Sequence, residues 1–234
     1  IICDSSEKTL KRKVEKYPHV ETTTSFSDIL TSPKINAVAI ATPAEKHYSL
    51  VKDSLLAGKD VFVEKPLSIR LQEGEELIRI AKEKQKTLFV GHILQYHPAI
   101  DTIKSMLQEG KLGKLQYIYS NRLNLGKVRR EENILWSFAP HDISVILSLV
   151  GEEPTEVTAT GTNILHPKIA DTTTTNMKFP SGVGAHIFVS WLHPFKEQKM
   201  VVIGDHNMVV FDDTVPVDRK LVIYPHELSW QGDI

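Results

Sequence analysis

The hydrophobic positions of residues 1–92 form short apolar runs separated by longer amphipathic stretches. The runs lie at residues 1–3, 37–42, 60–63 and 87–90, and they are almost continuous in apolar side chains. Such runs are typical of parallel strands covered on both faces. The stretches between them repeat apolar residues at helical spacing, which predicts helices at residues 6–17, 26–33, 44–59 and 71–85. Strands alternating with helices in this way predict a doubly wound parallel sheet.

The pattern changes near Gly113, after one more predicted helix at residues 98–111. Apolar and polar residues then alternate in long segments, which predicts an antiparallel sheet with one face toward water. Between the first two segments, "ENILWSFAPHDISVILSLVG" predicts a loop and then a buried helix that starts after Pro140.

The predicted fold class is therefore α/β plus α+β, in two domains. Residues 1–95 form a Rossmann-type parallel sheet without its first βα unit. Residues 96–234 form an α/β domain with a large, mostly antiparallel open sheet. The chain starts inside a strand and ends on "WQGDI", so we expect further sequence at both ends.

Composition narrows the function classes. Of the 234 residues, 28 are basic and 29 are acidic, and the net charge of −1 gives no indication of a nucleic-acid partner. No apolar run approaches the ~20 residues of a membrane span, so no membrane partner is expected. The single cysteine, Cys3, cannot form a disulfide within the chain, which favours a reducing, cytoplasmic location. The histidines do not form a zinc-ligand spacing with Cys3, and no metal site is predicted.

Asp4 ends the first apolar run, where a dinucleotide-binding unit places the acid that binds the ribose hydroxyls. No arginine follows it directly, which favours NAD over NADP. The other interpretation is an aspartate in a turn or at a helix cap.

A longer motif lies at residues 38–68, "VAIATPAEKHYSLVKDSLLAGKDVFVEKPLS". It resembles the Gfo/Idh/MocA family of nicotinamide-dependent oxidoreductases in its Thr42-Pro43, its His47, its Gly58-Lys59 and its Glu64-Lys65-Pro66. The resemblance implies that Thr42, Pro43, His47, Glu64 and Lys65 contact the cofactor. An ordinary turn at Thr42-Pro43 and a solvent-facing His47 are the alternatives.

Lys65 is the candidate catalytic amine. Burial of an ammonium costs several kcal/mol unless it is compensated, here by Glu64, a substrate hydroxyl and the cofactor ribose. Partial burial also lowers the pKa of a lysine, which suits it to share a proton with an alkoxide. The alternative is an ion pair with Glu64 at the protein surface.

His141 and Asp142 follow Pro140 in "APHDIS". The resemblance implies that His141 is the general base, a role suited to a side chain that titrates near neutral pH. Many relatives carry an aspartate four residues earlier, where this chain has Ser137. Asp142 is then expected to orient the His141 ring, to contact substrate or to cap the helix.

Five further residues are weaker substrate candidates. Tyr96 and His97 follow Gln95, where relatives often carry an arginine and the family chain crosses between its domains. Asn124, Lys127 and Arg130 lie in a polar stretch that could bind a diphosphate or a carboxylate, and an exposed charged loop is the alternative.

The second half of the sequence is similar to the nucleotide-sugar branch of the family, the UDP-N-acetylglucosaminuronate 3-dehydrogenases. The stretches that carry this similarity are "GHILQYHPAI", "NRLNLGKVRREENILWSFAPHDIS" and "VVIGDHNMVVFDD". The resemblance implies NAD-dependent oxidation of a secondary hydroxyl, at C3 of a nucleotide sugar, by a homodimer or homotetramer assembled through the antiparallel sheet. Two alternatives stay open: a dehydrogenase of a free sugar, inositol or other polyol, and a non-catalytic nucleotide-binding or sensor protein on the same scaffold.

Overall fold

The structure, a computed structural model, describes residues 1–126 and 132–226. The chain divides into two compact units, Ile1–Gly91 and His92–Ile234. None of the helices in the described ranges combines the length and the apolar character needed to span a lipid bilayer.

The first unit alternates strands and helices. Its strands are β1 (Ile2–Cys3), β2 (Thr22–Thr23), β3 (Ala37–Ile40), β4 (Asp60–Val63) and β5 (Leu88–Val90). Its helices are α1 (Glu7–Lys16), α2 (Phe26–Thr31), α3 (Ala44–Leu56) and α4 (Leu71–Lys84).

These strands are all parallel, and they form two separate sheets. β1 pairs with β2, while β3, β4 and β5 form a three-stranded sheet in that order. The core of this unit joins the three-stranded sheet to α3 and α4 through Val51, Leu55, Val63 and Leu77, none of which is exposed.

The second unit carries a long mixed sheet. Its strands are β6 (Leu115–Leu123), β7 (Glu156–Thr162), β8 (Thr172–Lys178), β9 (Gly184–Ser190), β10 (Glu197–Gly204), β11 (Asn207–Asp212) and β12 (Leu221–Pro225). Its helices are α5 (Pro98–Gln108), α6 (Ile134–Val150) and short 3₁₀ turns at Ile93–Tyr96 and Val217–Arg219.

The seven strands run in the order β12-β11-β10-β6-β9-β8-β7. Every pair is antiparallel except β6 with β9, which is parallel. The core contains alternate residues of the central strands, such as Ile118, Ile187 and Val202, together with Ile103 of α5 and Ile146 of α6. The predicted fold class, a Rossmann-type parallel sheet followed by a large and mostly antiparallel sheet, is confirmed.

Helix α6 differs from the prediction because it begins at Ile134 and contains Pro140 in its interior. A proline inside a helix removes one backbone hydrogen bond and costs about 3 kcal/mol. Ile134 and Ala139, before the proline, are fully buried, and so are Val145 and Ile146 after it. Packing on both sides of Pro140 therefore outweighs the local preference, and the predicted loop before the helix is wrong for residues 134–140.

Candidate functional site

The carboxyl ends of β3 and β4 bring the family motif together in the first unit. Ile40 lies opposite Val63 in the parallel register, and the backbone N–H of Glu64 donates to the Ile40 carbonyl at 2.9 Å. The Thr42-Pro43 and Glu64-Lys65-Pro66 turns consequently leave the same edge of the sheet. This edge is where open α/β sheets bind their ligands.

His47 connects these two turns. Its Nε2 lies 2.8 Å from the carbonyl oxygen of Thr42, and its Nδ1 lies 2.6 Å from the carbonyl oxygen of Pro66. The residue is 1% exposed, on the core-facing stripe of α3 with Val51 and Leu55. Both ring nitrogens of His47 contact main-chain carbonyls, one in each turn. This geometry favours a structural link between the two turns rather than the predicted contact with the cofactor. The stripe itself, His47 followed by apolar residues four and eight positions later, is a sequence signal for that burial.

Glu64 and Lys65 are half-buried, and Pro66, which follows a cis peptide bond, is buried. Gly91 directly follows β5, and its N–H donates to the Val63 carbonyl at 2.8 Å. A Cβ added at Gly91 would lie 3.3 Å from the Glu64 Oε2 and 3.2 Å from the Phe62 ring. The glycine thus leaves room for the Glu64 carboxylate above the strand ends.

Asp4 follows β1, in the other sheet of the first unit. Its Oδ1 accepts the Ser6 N–H at 2.8 Å, and Ser6 in turn caps α1 by accepting the Thr9 N–H at 3.3 Å. Asp4 therefore lies in the turn between β1 and α1, as the alternative interpretation of this aspartate predicted. The N-cap of α1 is Ser6 and not Asp4. A contact between Asp4 and a ribose stays a prediction.

These residues fit parts of a nicotinamide dinucleotide. Ribose hydroxyls suit the half-exposed carboxylate of Asp4 and the half-buried ammonium of Lys65. Gly91 has no side chain, so a ring could approach the strand end closely there. The sequence contains no G-x-G-x-x-G turn, so the fit does not extend to a pyrophosphate cradle.

His141 lies in the middle of α6, half-buried, and its carbonyl accepts the Ser144 hydroxyl at 2.8 Å. Ser137, four residues earlier, is 7% exposed. The cap of this helix is Asn133, whose side chain accepts the Trp136 N–H at 3.1 Å. The prediction that Asp142 caps the helix is therefore wrong, because the helix starts eight residues before it.

Asp142 faces the sheet. Its Oδ2 lies 2.7 Å from the Arg122 Nε, and its Oδ1 accepts from the Arg122 Nη2 at 3.1 Å and from the Ser120 hydroxyl at 2.7 Å. Asp142 is 2% exposed, and this geometry favours an anchor between α6 and β6 over the predicted contacts with substrate or with His141. Sequence reasoning missed Arg122. The signal was its place in the strand, because residues two apart share a face and Arg122 therefore lies on the same face as Ser120 and the apolar Ile118.

Gln95 forms a second anchor for α6. Its Nε2 donates to the Ser144 carbonyl at 2.5 Å, and its Oε1 accepts from the Lys104 Nζ at 2.9 Å. The side chain thereby links the 3₁₀ turn, α5 and the helix that carries His141. Sequence reasoning noted Gln95 only as a departure from the arginine of relatives.

The other described substrate candidates lie in two parts of the second unit, Tyr96 and His97 before α5 and Asn124 after β6. The Nδ1 of His97 accepts the Ala99 N–H at 3.1 Å as the cap of α5, and its Nε2 lies 3.7 Å from Asp213. Tyr96 is 64% exposed. The Asn124 N–H donates to the Ser190 carbonyl at 3.1 Å at the end of β6.

Lys127 and Arg130 lie outside the described residues, so their predicted role is not addressed. Within residues 1–126 and 132–226, no group of three or more histidine, cysteine, aspartate or glutamate side chains is arranged to hold a metal ion. Lys65 and His141 belong to different units, and their convergence on one substrate carbon stays a prediction.

Comparison with known proteins relates both units to curated and solved relatives. The chain is 26% identical over 226 residues to the uncharacterized oxidoreductase YrbE of Bacillus subtilis, which covers 92% of the chain and 66% of that protein. It is 31% identical over 158 residues to a UDP-N-acetylglucosamine 3-dehydrogenase of Acidithiobacillus ferrooxidans, which covers 67% of the chain and 49% of that protein. The chain thus spans about half to two thirds of the length of these curated relatives.

A solved structure of the Acidithiobacillus ferrooxidans UDP-N-acetylglucosamine 3-dehydrogenase superposes with a TM-score of 0.84 at 25% identity, covering 96% of the chain and 71% of that structure. Two family models match in sequence order. The model of the oxidoreductase family NAD-binding Rossmann fold matches residues 1–92, and that of the GFO/IDH/MocA C-terminal domain matches residues 100–210. Because both models describe the same family and together cover most of the sequence, the chain belongs to the Gfo/Idh/MocA family of oxidoreductases.

Proposed function

We propose that this protein is an NAD-dependent dehydrogenase that oxidises a secondary hydroxyl, at C3, of a nucleotide sugar. The observation that carries the proposal is the arrangement of Thr42-Pro43 and Glu64-Lys65-Pro66 at one edge of a parallel sheet. The likeness to a UDP-N-acetylglucosamine 3-dehydrogenase supports the substrate class.

We further propose NAD rather than NADP as the cofactor. Asp4 offers a carboxylate that accepts hydrogen bonds from ribose hydroxyls and repels a 2′-phosphate, beside the N–H of Ser6. Asp4, Thr42, Pro43, Glu64 and Lys65 would hold the cofactor. When bound, the nicotinamide would supply the acceptor for the hydride, a hydrogen with its electron pair, that leaves the sugar carbon.

In this mechanism the residues of the chain handle the proton and the developing charge. His141 takes the proton of the sugar hydroxyl as general base. The Lys65 ammonium donates to the oxygen as negative charge develops there, an interaction strongest in the transition state. The Arg122 and Gln95 contacts hold the helix that carries His141.

Substitution of Lys65 tests the proposed role of its ammonium. Lys65→Met should lower kcat by at least about 10²- to 10³-fold, because the developing oxyanion loses a charged donor. The affinity for NADH, measured by fluorescence titration, should change little. The exposed Lys84 on α4 gives a matched control, since Lys84→Met should leave both quantities unchanged.

The substrate class is tested by comparing kcat/KM for UDP-N-acetylglucosamine and its uronate with that for free sugars and inositol. Preference for a free polyol would contradict the nucleotide-sugar assignment. NADH binding without turnover of any of these compounds would indicate a sensor protein. A Lys65→Met variant with near-native kcat would overturn the role given to that lysine.

We also propose that the protein forms a homodimer or homotetramer through the open face of the large sheet. That face carries partly exposed aromatic residues, among them Tyr119 stacked on His186 with ring centroids 5.3 Å apart and Phe188 next to His193. A mass corresponding to one chain in sedimentation equilibrium would contradict this assembly.

A further inference from the structure

The strand β7 lies at one end of the seven-stranded sheet, and all seven of its residues are exposed. Each residue from Glu156 to Thr162 has a partner in β8, and among the described residues no strand pairs with the other side of β7. Proteins usually block such a regular edge with lysine, proline or a bulge. The sequence of β7, EVTATGT, contains neither lysine nor proline, whereas β12 at the opposite end of the sheet ends on Pro225.

The hydrogen bonds of the sheet show which backbone groups of β7 face outward. At one end of the β8–β9 pair the Phe179 N–H donates to the Val183 carbonyl at 3.0 Å, and at the other end the Trp191 N–H donates to the Asp171 carbonyl at 3.3 Å. Antiparallel bonds recur at every second residue, so odd-numbered residues of β8 bond to β9 and even-numbered residues bond to β7. Their partners in β7 are also even-numbered. The residues whose N–H and C=O groups point away from β8 are therefore Val157, Ala159 and Gly161.

We infer that β7 pairs antiparallel with β7 of a second copy of this chain, about a two-fold axis at Ala159. The outward-facing backbone groups of the two copies then meet, with Ala159 opposite the partner's Ala159 and Val157 opposite the partner's Gly161. Each hydrogen-bonded pair of residues exchanges two bonds, so the contact contains about six. Thr158 lies opposite the partner's Thr160, a cross-strand pair that stabilises sheets. The contact does not depend on the proposed activity.

The segments that flank β7 carry opposite charges. Glu153 is exposed before the strand, and Lys168 is exposed in the loop after it, at residues 163–170. Antiparallel pairing brings the loop of each copy beside the start of the other copy's strand, so Lys168 and the partner's Glu153 attract each other. Glu156, the one charged residue of the strand, pairs with Lys178 of its own chain at 2.9 Å, so the two strands do not repel each other.

The same loop presents apolar side chains on an ordered main chain. Ile164 and Leu165 are 61% and 56% exposed. Their N–H groups donate to the Asp171 carboxylate at 2.6 Å each, and Asp171 is fully buried. Because the main chain is already fixed, contact with a partner costs less conformational entropy than it would for a flexible loop.

A cysteine at residue 159 reports this contact directly. In a Cys3→Ser background, Ala159→Cys places two thiols across the axis, where the Cα atoms of a hydrogen-bonded pair are about 5.5 Å apart and within disulfide range. Oxidised glutathione should therefore yield a covalent dimer. Thr162→Cys is the matched control, because the two copies of residue 162 would lie about 20 Å apart on the same paired strands. Equal yields of dimer from both variants, or glutathione adducts alone, would overturn the inference.

Charge substitutions test the contact without a cross-link. Ala159→Lys should weaken self-association, measured by sedimentation velocity, at least about tenfold, because like charges then lie directly opposite each other. Thr162→Lys would lie opposite the partner's Glu156 and should associate at least as tightly as the parent protein. Equal association of the two variants would overturn the edge contact. Ala159 and Tyr119 lie on opposite faces of the sheet, so assembly through the open face alone would leave the disulfide at residue 159 unformed.

Discussion

Two lysines flank the strand β4, and the structure gives them different surroundings. Lys65 follows the strand and is half-buried. Lys59 precedes it, is 7% exposed, and donates from its Nζ to the carbonyls of Ser32 and Ile35 at 2.7 Å each. Lys59 belongs to the Gly-Lys part of the family motif, and these contacts make it a structural link between β4 and the loop after α2.

Removal of the Lys59 ammonium should therefore destabilise the first unit. In Lys59→Met two partly buried carbonyls lose a charged donor, and we expect the free energy of unfolding to fall by about 1–3 kcal/mol. Urea denaturation measures the change. Lys34 lies in the same loop and is exposed, so Lys34→Met should have little effect. Equal stability of the two variants would contradict the link.

At the residue scale, sequence reasoning predicted the position of a side chain correctly where the residue type was consistent with its place at the end of a strand. The charged pair after an apolar run correctly predicted that Glu64 and Lys65 leave the sheet edge. The partner of Asp142 could not be predicted, because Arg122 is 20 residues away and reaches it only through tertiary packing.

Helix α6 is the element in which local rules and packing disagree most. The sequence predicted that Pro140 precedes the helix, and the structure places it in the interior. The pattern correctly predicted the apolar character of this helix, but sequence reasoning missed the local signal for its start, the N-cap residue Asn133.

The Arg122–Asp142 pair should be essential to the attachment of α6. Arg122→Met leaves a buried carboxylate without its cation, which typically costs about 3–5 kcal/mol. The double variant Arg122→Met/Asp142→Leu should recover most of that loss, since two apolar side chains replace the pair. Urea denaturation of the two single variants and the double variant gives the coupling energy.

A matched control lies at the edge of the same sheet. Lys178 and Glu156 form an ion pair at 2.9 Å with side chains that are 70% and 53% exposed. Solvent screens such pairs, so Lys178→Met should change stability by less than about 1 kcal/mol. A similar loss from both pairs would show that burial does not set the strength of the Arg122 anchor.

At the scale of the whole molecule, the order of strands and helices was predictable, but the arrangement of the sheets was not. Periodicity predicted the parallel strands of the first unit except β2 (Thr22–Thr23), which it missed, and it predicted the alternating strands of the second unit. It could not show that the parallel strands form two sheets, nor that β6 pairs in parallel with β9. Those pairings depend on contacts between distant segments.

The response to pH is also a property of the whole molecule. Burial raises the pKa of Asp171, but the N–H groups of Leu165 and Ile164 and the Trp191 indole outweigh it, so the net pKa is lowered. Burial lowers the pKa of His186. In both cases the folded protein binds the proton more weakly than the unfolded chain.

Acid should therefore destabilise the protein in two steps. The contribution of His186 is present above about pH 6.5 and declines as the pH falls toward its lowered pKa. That of Asp171 is present above about pH 4 and is lost as the pH falls through its lowered pKa. The free energy of unfolding, measured by urea denaturation from pH 8 to pH 3, should fall across both windows.

Two variants assign the steps. His186→Gln should remove the step near neutrality. Asp171→Asn should reduce the slope below pH 4, to which the lowered pKa values of Asp205 and Asp212 also contribute. Stability that rises as the pH falls from 7 to 5 would contradict the sign derived for His186.

The place of β6 in the sheet has a consequence for how the chain acquires its structure. Ser120 in this strand lies opposite Ile187 on one side and Met200 on the other. Both neighbours leave the ribosome long after β6 does, and high sequence separation slows the search for native pairing. The nascent chain must therefore keep β6 without its sheet partners until β9 is synthesised, and β6 can join β9 to β10 only after Met200 has emerged. We expect this interval to be the period of greatest dependence on chaperones.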